Sequence, residues 1–374
     1  MSTKDLMITT SVILSFAAAV PAHAGDAPKV VTSIPPLNYI AAAVMDGVGT
    51  PETLLPPGAS PHAYSLKPSE ASRLAEADLV VWVGDALEAF LEKPLHALSS
   101  EEKIMAVIDL PSVSLLESRE AGLHEDHQDE AHGHDAEHGD HAEHAEDAHG
   151  HDVEHGDHAE HAEEEHGHEA GHDEVAEHAE EEHGHEAEHA DHGHGHGHDH
   201  GEHDPHVWLA PANAAAIAGS LAERLASIAP DQASIYRANA ERFAEEMDQL
   251  EQELRGQLAP VADHPYLTFH DAMQYFDEAM DLNFAGAITF SPEQSPGAAR
   301  VAELQEAIEH DDIVCIFAEP QFEPRLASVV IEGTDARLGT VDPLGVDIEA
   351  GADAYADLLR KIAQDMLECL DASS

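Results

Sequence analysis

Basic residues are scarce in this chain. Its 374 residues include 16 Lys and Arg against 76 Asp and Glu, a formal net charge of −60 at pH 7. A surface so poor in cations does not attract a nucleic-acid backbone or an anionic membrane face; it attracts cationic ligands. Cysteine is almost absent too, with only Cys315 and Cys369 present. Zinc fingers built on thiolates need more of them at close spacing, so that class is excluded. The two cysteines form one disulfide if the compartment is oxidising, or stay as two buried thiols if geometry keeps them apart.

Long apolar runs are also few. Leu6 to Val20 is one, roughly 15 residues and short for a membrane-spanning helix. Lys4 precedes it and the small-x-small stretch Ala22–Ala24 follows. This reads as a secretory signal peptide over residues 1–24, with Gly25 at the mature N-terminus; a buried N-terminal helix is the alternative. No cysteine follows the cleavage site, so no lipid anchor is implied, and the expected location is a bacterial periplasm.

From His124 to His203 the chain lacks Lys, Arg, Leu, Ile and every aromatic residue. Of the 32 histidines, seven lie elsewhere (His23, His62, His96, His206, His264, His270 and His310), leaving 25 in this one stretch. Degenerate repeats run through it, ending in the alternation His192, His194, His196, His198, His200. Such a segment cannot bury enough apolar surface to offset chain entropy, so residues 117–204 are expected to be a disordered surface loop. Insertion of a long loop is tolerated because closure entropy grows slowly with length. Imidazole and carboxylate in mobile, Gly-rich sequence bind zinc, copper or nickel weakly and at several places, so those five histidines are candidate secondary metal sites.

The remainder has the signature of an α/β protein. Short β-rich runs at Lys29–Ile34, Asp78–Gly84 and Lys103–Leu110 alternate with helical segments such as PSEASRLAEA, which has Pro68 at its start. After the loop, Phe243, Met247, Leu250, Leu254 and Leu258 recur at spacings of three and four, predicting a long helix over about Asp231 to Leu258. Further strands are predicted at Tyr266–Ala272, Asn283–Phe290, Asp312–Pro320 and Ala336–Asp342, with a C-terminal helix from about Gly351 to Leu370. Near-continuous apolar strands separated by helices point to parallel sheets covered on both faces. The expected organisation is an N-terminal α/β lobe at 25–210, a helical linker at 211–260 containing the long bridging helix, and a C-terminal α/β lobe at 261–374.

Three histidines in folded sequence stand apart from the loop: His62, His206 and His270. Each lies at the end of a strand-like run or the start of a helix, where α/β folds place ligands, yet their spacing is too long to show on its own that they converge. The segments PPGASPHAYSLKPSE, DPHVWLAP, TFHDAMQYF, SPEQSPG, FAEPQF and TVDPLG carry a more specific signal. Together and in this order they resemble the ZnuA-type zinc-binding proteins of bacterial ABC importers, over nearly all of residues 29–370. A His-rich loop between the first two ligand histidines is itself a feature of that group.

The resemblance implies two α/β lobes joined by one rigid helix, with metal in the cleft between them. It places the ligand histidines at His62, His206 and His270, and the fourth ligand at Asp342, with water as the rival. Some zinc-binding members carry an acidic residue directly before the first histidine; here that position is Pro61. It also implies a Cys315–Cys369 disulfide. Three imidazoles and at most one carboxylate suit Zn²⁺ better than manganese, which takes more oxygen; copper accepts the same ligands. The expected partners are Zn²⁺ and a membrane permease, with the chain itself a monomer and not an enzyme.

Two other functions start from the same residues. A periplasmic zinc buffer would act mainly through the loop and leave the three folded histidines dispensable. A zinc hydrolase would use three histidines and an open fourth position, but the sequence has no HExxH and no evident general base.

Overall fold

The computed structural model describes residues 27–98, 100–119, 203–289, 296–323 and 325–371, all within one compact unit. The signal-peptide segment and the histidines at 192, 194, 196, 198 and 200 lie outside the described residues. No helix among the described residues is long and apolar enough to cross a membrane.

Two four-stranded parallel sheets organise the molecule. The first contains β1 (Val30–Thr32), β2 (Glu52–Thr53), β3 (Leu79–Trp82) and β4 (Ile104–Ala106) in the order β2-β1-β3-β4. The second contains β5 (Tyr266–His270), β6 (Phe284–Thr289), β7 (Cys315–Ala318) and β8 (Arg337–Thr340) in the order β6-β5-β7-β8. Seven of these strands fall inside or on the runs predicted from sequence. The eighth, β2, is two residues long and too short to show a period.

Helices cover both faces. In the first half they are α1 (Pro35–Val44), α2 (Pro68–Glu76) and α3 (Ala89–Leu98). α1 opens on Pro35 and Pro36, with φ preset for a first helical turn where the missing N–H costs nothing. α2 opens on Pro68, and the Glu70 carboxylate accepts the Lys67 backbone N–H at 2.8 Å. Then come α4 (Pro211–Ile228) and the 26-residue α5 (Ala233–Leu258), which at 1.5 Å per residue is about 39 Å long. The second half adds α6 (Gln274–Met280), α7 (Ala298–His310), α8 (Arg325–Ile331) and α9 (Ala354–Leu370).

Alternation along the strands decides what packs where. Val30, Leu79 and Val81 of the first sheet, and Tyr266, Cys315 and Phe317 of the second, all belong to one continuous core shared with α1, α4, α5 and α9. Their neighbours Val31, Val80 and Trp82 face outward into a separate cluster with Leu74 and Leu91. On the second sheet Leu267, Ile316 and Ala318 do the same with Leu304, Ile308 and Val330. The two lobes thus have private outer cores and a common inner one. α5 runs through the common core, burying Tyr236, Ala240, Phe243, Met247, Leu250, Leu254 and Leu258 on one stripe.

Long-range bonds tie this inner core together. Tyr39 Oη donates to the carbonyl of Gly345 at 2.8 Å, Trp208 Nε1 to that of Pro343 at 3.0 Å, and Tyr355 Oη to that of Trp208 at 2.5 Å. Gly345 has φ +70°, a left-handed backbone, and an added Cβ would meet Leu358 Cδ1 at 3.0 Å, so the tight turn before α9 needs glycine. Cys315 and Cys369 form a disulfide with Cα atoms 6.1 Å apart, joining β7 to the end of α9.

Candidate metal centre

The three folded histidines meet. Their ring centroids stand 5.5 Å apart for His62–His206 and 5.3 Å for each of the pairs with His270. One ring nitrogen from each lies within 4.8 Å of the other two, making the one group of metal-capable donors found among the described residues. The local chain explains each position. His62 sits in a 3₁₀ turn (Pro61–Ala63) whose preceding Ser60 hydroxyl accepts the His62 N–H at 3.3 Å. His206 opens another 3₁₀ turn (Val207–Leu209) leading into α4. His270 is the last residue of β5, at the carboxyl end of a parallel strand, where such sheets present ligand-binding groups.

Two of the three rings are backed by buried carboxylates. His206 Nδ1 lies 2.7 Å from Asp204 Oδ1, and His270 Nδ1 lies 2.5 Å from Glu319 Oε1. Asp204, His206, His270 and Glu319 are each 4–5% exposed. A carboxylate on Nδ1 fixes the tautomer with the proton there and leaves Nε2 as the free lone pair, the arrangement that holds metal-ligating histidines in place. His62 Nε2 and His270 Nε2 are buried and have no hydrogen-bond partner among the described residues. Buried polar nitrogens are nearly always satisfied, so two orphans facing one cluster call for an absent electrophile.

Charge behaves accordingly. Burial, with His206 and His270 adding to it, pushes the His62 imidazole down to about 2, so it stays neutral over the whole physiological range. Burial is the largest single influence on His270 and pulls it down, but Glu319, Asp271 and Asp204 together outweigh it and raise that ring above its ordinary value. Behind the rings Asp204 and Glu319 supply two buried negative charges, the complement of a divalent cation. Trp208 and Phe322 line the same cavity, their rings 5.3 Å from those of His206 and His270 respectively.

Asp342, expected as the fourth ligand, is put to another use. Its Oδ1 accepts from Gln321 Nε2 at 2.7 Å and from the Leu344 N–H at 3.0 Å, and its Oδ2 accepts from the Val346 N–H at 2.5 Å. A carboxylate at the head of an Asp-Pro-Leu-Gly turn takes up the backbone donors that the turn leaves free, and that local demand holds this one outside the histidine group.

Several contributing residues were not found from the sequence. Asp204 stands two residues before His206, where a search for carboxylates flanking candidate ligands would have found it; Glu319 directly follows β7, which pairs with β5, and is 49 residues from His270. Arg119 left no such signal. It donates to Asp271 at 3.2 Å and Asp277 at 2.9 Å, and its guanidinium lies 4.0 Å from the Phe284 ring. Glu117 pairs with His203 in an antiparallel bridge, the Asp204 N–H donates to the Leu116 carbonyl, and Tyr275 Oη bonds both Leu116 N and the Asp204 carbonyl. The chain on either side of residues 120–202 is therefore joined at its base and fastened to the start of α6, immediately before His206.

Comparison with known proteins identifies the family. Residues 30–369 match the family described as zinc-uptake complex component A, periplasmic, or ZnuA. The high-affinity zinc uptake system protein ZnuA of Brucella abortus (strain 2308) is 42% identical over 347 residues, covering 93% of each chain. Its Yersinia pestis counterpart is 36% identical, covering 98% of this chain and 97% of its own. A crystal structure of ZnuA aligns at TM-score 0.64 and 20% identity over 92% of this chain and 100% of that one. A zinc-bound ZnuA deletion mutant aligns at 0.63 and 20% over 93% and 99%. At that identity the structural likeness speaks for the fold.

Proposed function

The chain belongs to the ZnuA family of periplasmic zinc-uptake components, and from that premise we propose that it captures Zn²⁺ with His62, His206 and His270 and hands it to an ABC-type importer. The family's members bind and release solute rather than transform it, so the chain is not an enzyme. The observation that carries the ligand assignment is the pair of buried Nε2 atoms on His62 and His270, without a hydrogen-bond partner among the described residues, beside a third imidazole at similar ring spacing. Zn²⁺ accepts three imidazoles in a tetrahedron, and the carboxylates behind His206 and His270 strengthen those ligands. With the Asp342 oxygens engaged elsewhere, water takes the fourth position. The cargo enters as a dication beside the Asp204 and Glu319 carboxylates.

The His-rich segment acts in this reading as a looser store of zinc. Its base is fastened immediately upstream of Asp204 and His206, which supports a role in raising zinc concentration near the cleft. Delivery to a membrane permease and a monomeric state complete the proposal. The test is zinc stoichiometry and affinity by chelator competition, on the full chain, on a variant lacking residues 124–203, and on that variant with His62, His206 and His270 changed to Ala. One tight site should survive loop removal and disappear with the histidines. Loss of tight binding with the loop alone would instead favour a zinc buffer working through the loop.

A further inference from the structure

Gln321 lines the same cavity as the three histidines, and nothing so far gives it a task. Its amide has one orientation open to it. Asp342 Oδ1 sits 2.7 Å from one end of the Gln321 amide, and a carboxylate only accepts, so that end is the NH₂ group. The two backbone N–H groups of Leu344 and Val346 hold the Asp342 carboxylate still while it makes this contact. The opposite end, Oε1, is therefore fixed in place as well. It is buried and has no hydrogen-bond partner among the described residues. Around it the cavity wall is largely apolar (Pro61, Phe322, Pro343 and Leu344), the Trp208 N–H is committed to the Pro343 carbonyl, and Glu319 Oε1 is committed to His270.

A fixed, buried acceptor lining the same cavity as three imidazoles matches a metal-bound water with protons to donate. We propose that Gln321 is a positioning residue of the metal centre: its Oε1 accepts a hydrogen bond from the water at the fourth coordination position, and Asp342 is the clamp that keeps the amide turned that way. The inference rests on the three-histidine reading of the site and assigns its open position. It also gives the Asp342 turn a part in metal binding without direct ligation. A neutral acceptor orients the water without replacing it, so the fourth ligand remains one that an incoming group displaces.

The experiment uses the full chain with Gln321→Leu, Gln321→Asn and, separately, His62→Ala. Zinc affinity is read by chelator competition, and the ligand field by the d–d absorption of the Co²⁺-loaded protein. Losing a group that orients a metal-bound ligand costs roughly ten- to hundredfold in affinity, and both Gln321 variants should show it, since Asn withdraws the oxygen by one methylene. Both should also alter the Co²⁺ spectrum. Zinc affinity and Co²⁺ spectrum unchanged in both variants would overturn the proposal, as would an affinity loss with an unchanged spectrum, which places the effect in the lobes rather than at the metal. His62→Ala separates the two readings: if it abolishes tight binding while the Gln321 variants behave as wild type, the histidine site stands and the role of Gln321 falls. If His62→Ala leaves tight binding intact, the site reading itself has failed.

Discussion

The two lobes hold their histidines by different means. In the second, His270 is the end of a buried strand, its carboxylate Glu319 directly follows the neighbouring strand β7, and a disulfide ties β7 to α9. In the first, His62 and His206 ride on 3₁₀ turns; His206 takes its carboxylate from two residues away, and His62 has none in contact among the described residues. One side of the site is thus set by sheet register and the other by local turns. The difference suits a capture protein, in which a fixed ligand gives the cleft its geometry and ligands on short turns can let the cargo go.

Removing the disulfide should have the largest effect, and on stability alone. Closing its span of 54 residues is worth about 4 kcal/mol in the chain-entropy model, so Cys315→Ser with Cys369→Ser should lower the melting temperature sharply while zinc affinity of the folded protein holds. An equal loss of affinity would mean that the second lobe is not as rigid as the comparison requires. Next in size is ligand removal. Structural zinc sites bind with about 10–16 kcal/mol over four ligands, so His206→Ala should cost about 3 kcal/mol, on the order of a hundredfold in affinity by chelator competition.

Glu319→Gln and Asp204→Asn sharpen the contrast between a carboxylate supplied across the sheet and one supplied along the chain. Each should weaken zinc roughly ten- to hundredfold in the same competition assay. Glu319→Gln is expected to be the worse, since no local segment can restore a partner taken from another strand.

The smallest effect is on the pH dependence of the metal-free protein, and here the lobes should oppose each other. The His62 pKa is depressed on folding, so below about pH 6.5 the unfolded chain takes up a proton that the folded one refuses, and acid destabilises the protein. Between pH 7 and pH 5.5 this amounts to about 1.2 kcal/mol. His270 is raised on folding, so it adds stability that is full below about 6.5 and fades as pH climbs through its folded value. His62→Ala should therefore make melting temperature less sensitive to acid and Glu319→Gln more so. Parallel curves for the two variants would end the opposition.

The sequence showed the fold better than it showed the site. Apolar periodicity located seven strands, α5 and α9, because those elements bury a continuous stripe or a whole run. It missed β2, which is two residues long, and α3, which carries Pro94 in its interior. Convergence of His62, His206 and His270 came only from family resemblance, since no local spacing encodes a contact made through two sheets. The hydrogen bonds of Asp342 were not legible either: that its oxygens accept from Gln321, Leu344 and Val346 depends on donors placed by the turn. Glu319 was visible as a residue and invisible as a partner until strand register put it beside His270.

The inner core shared by both sheets has a consequence for how the chain matures. α1 packs against α9, and Tyr39 bonds to the carbonyl of Gly345, 306 residues further on. Pairings of such sequence separation form late, because the entropy of closing so long a loop opposes them until nearer contacts have formed. The first lobe cannot cover its inner face until the last helix has arrived, so a chain cut short before α9 would leave that face bare. Synthesis from the N-terminus builds this molecule in order but completes none of it early, and heat should take it apart in a single cooperative step rather than lobe by lobe.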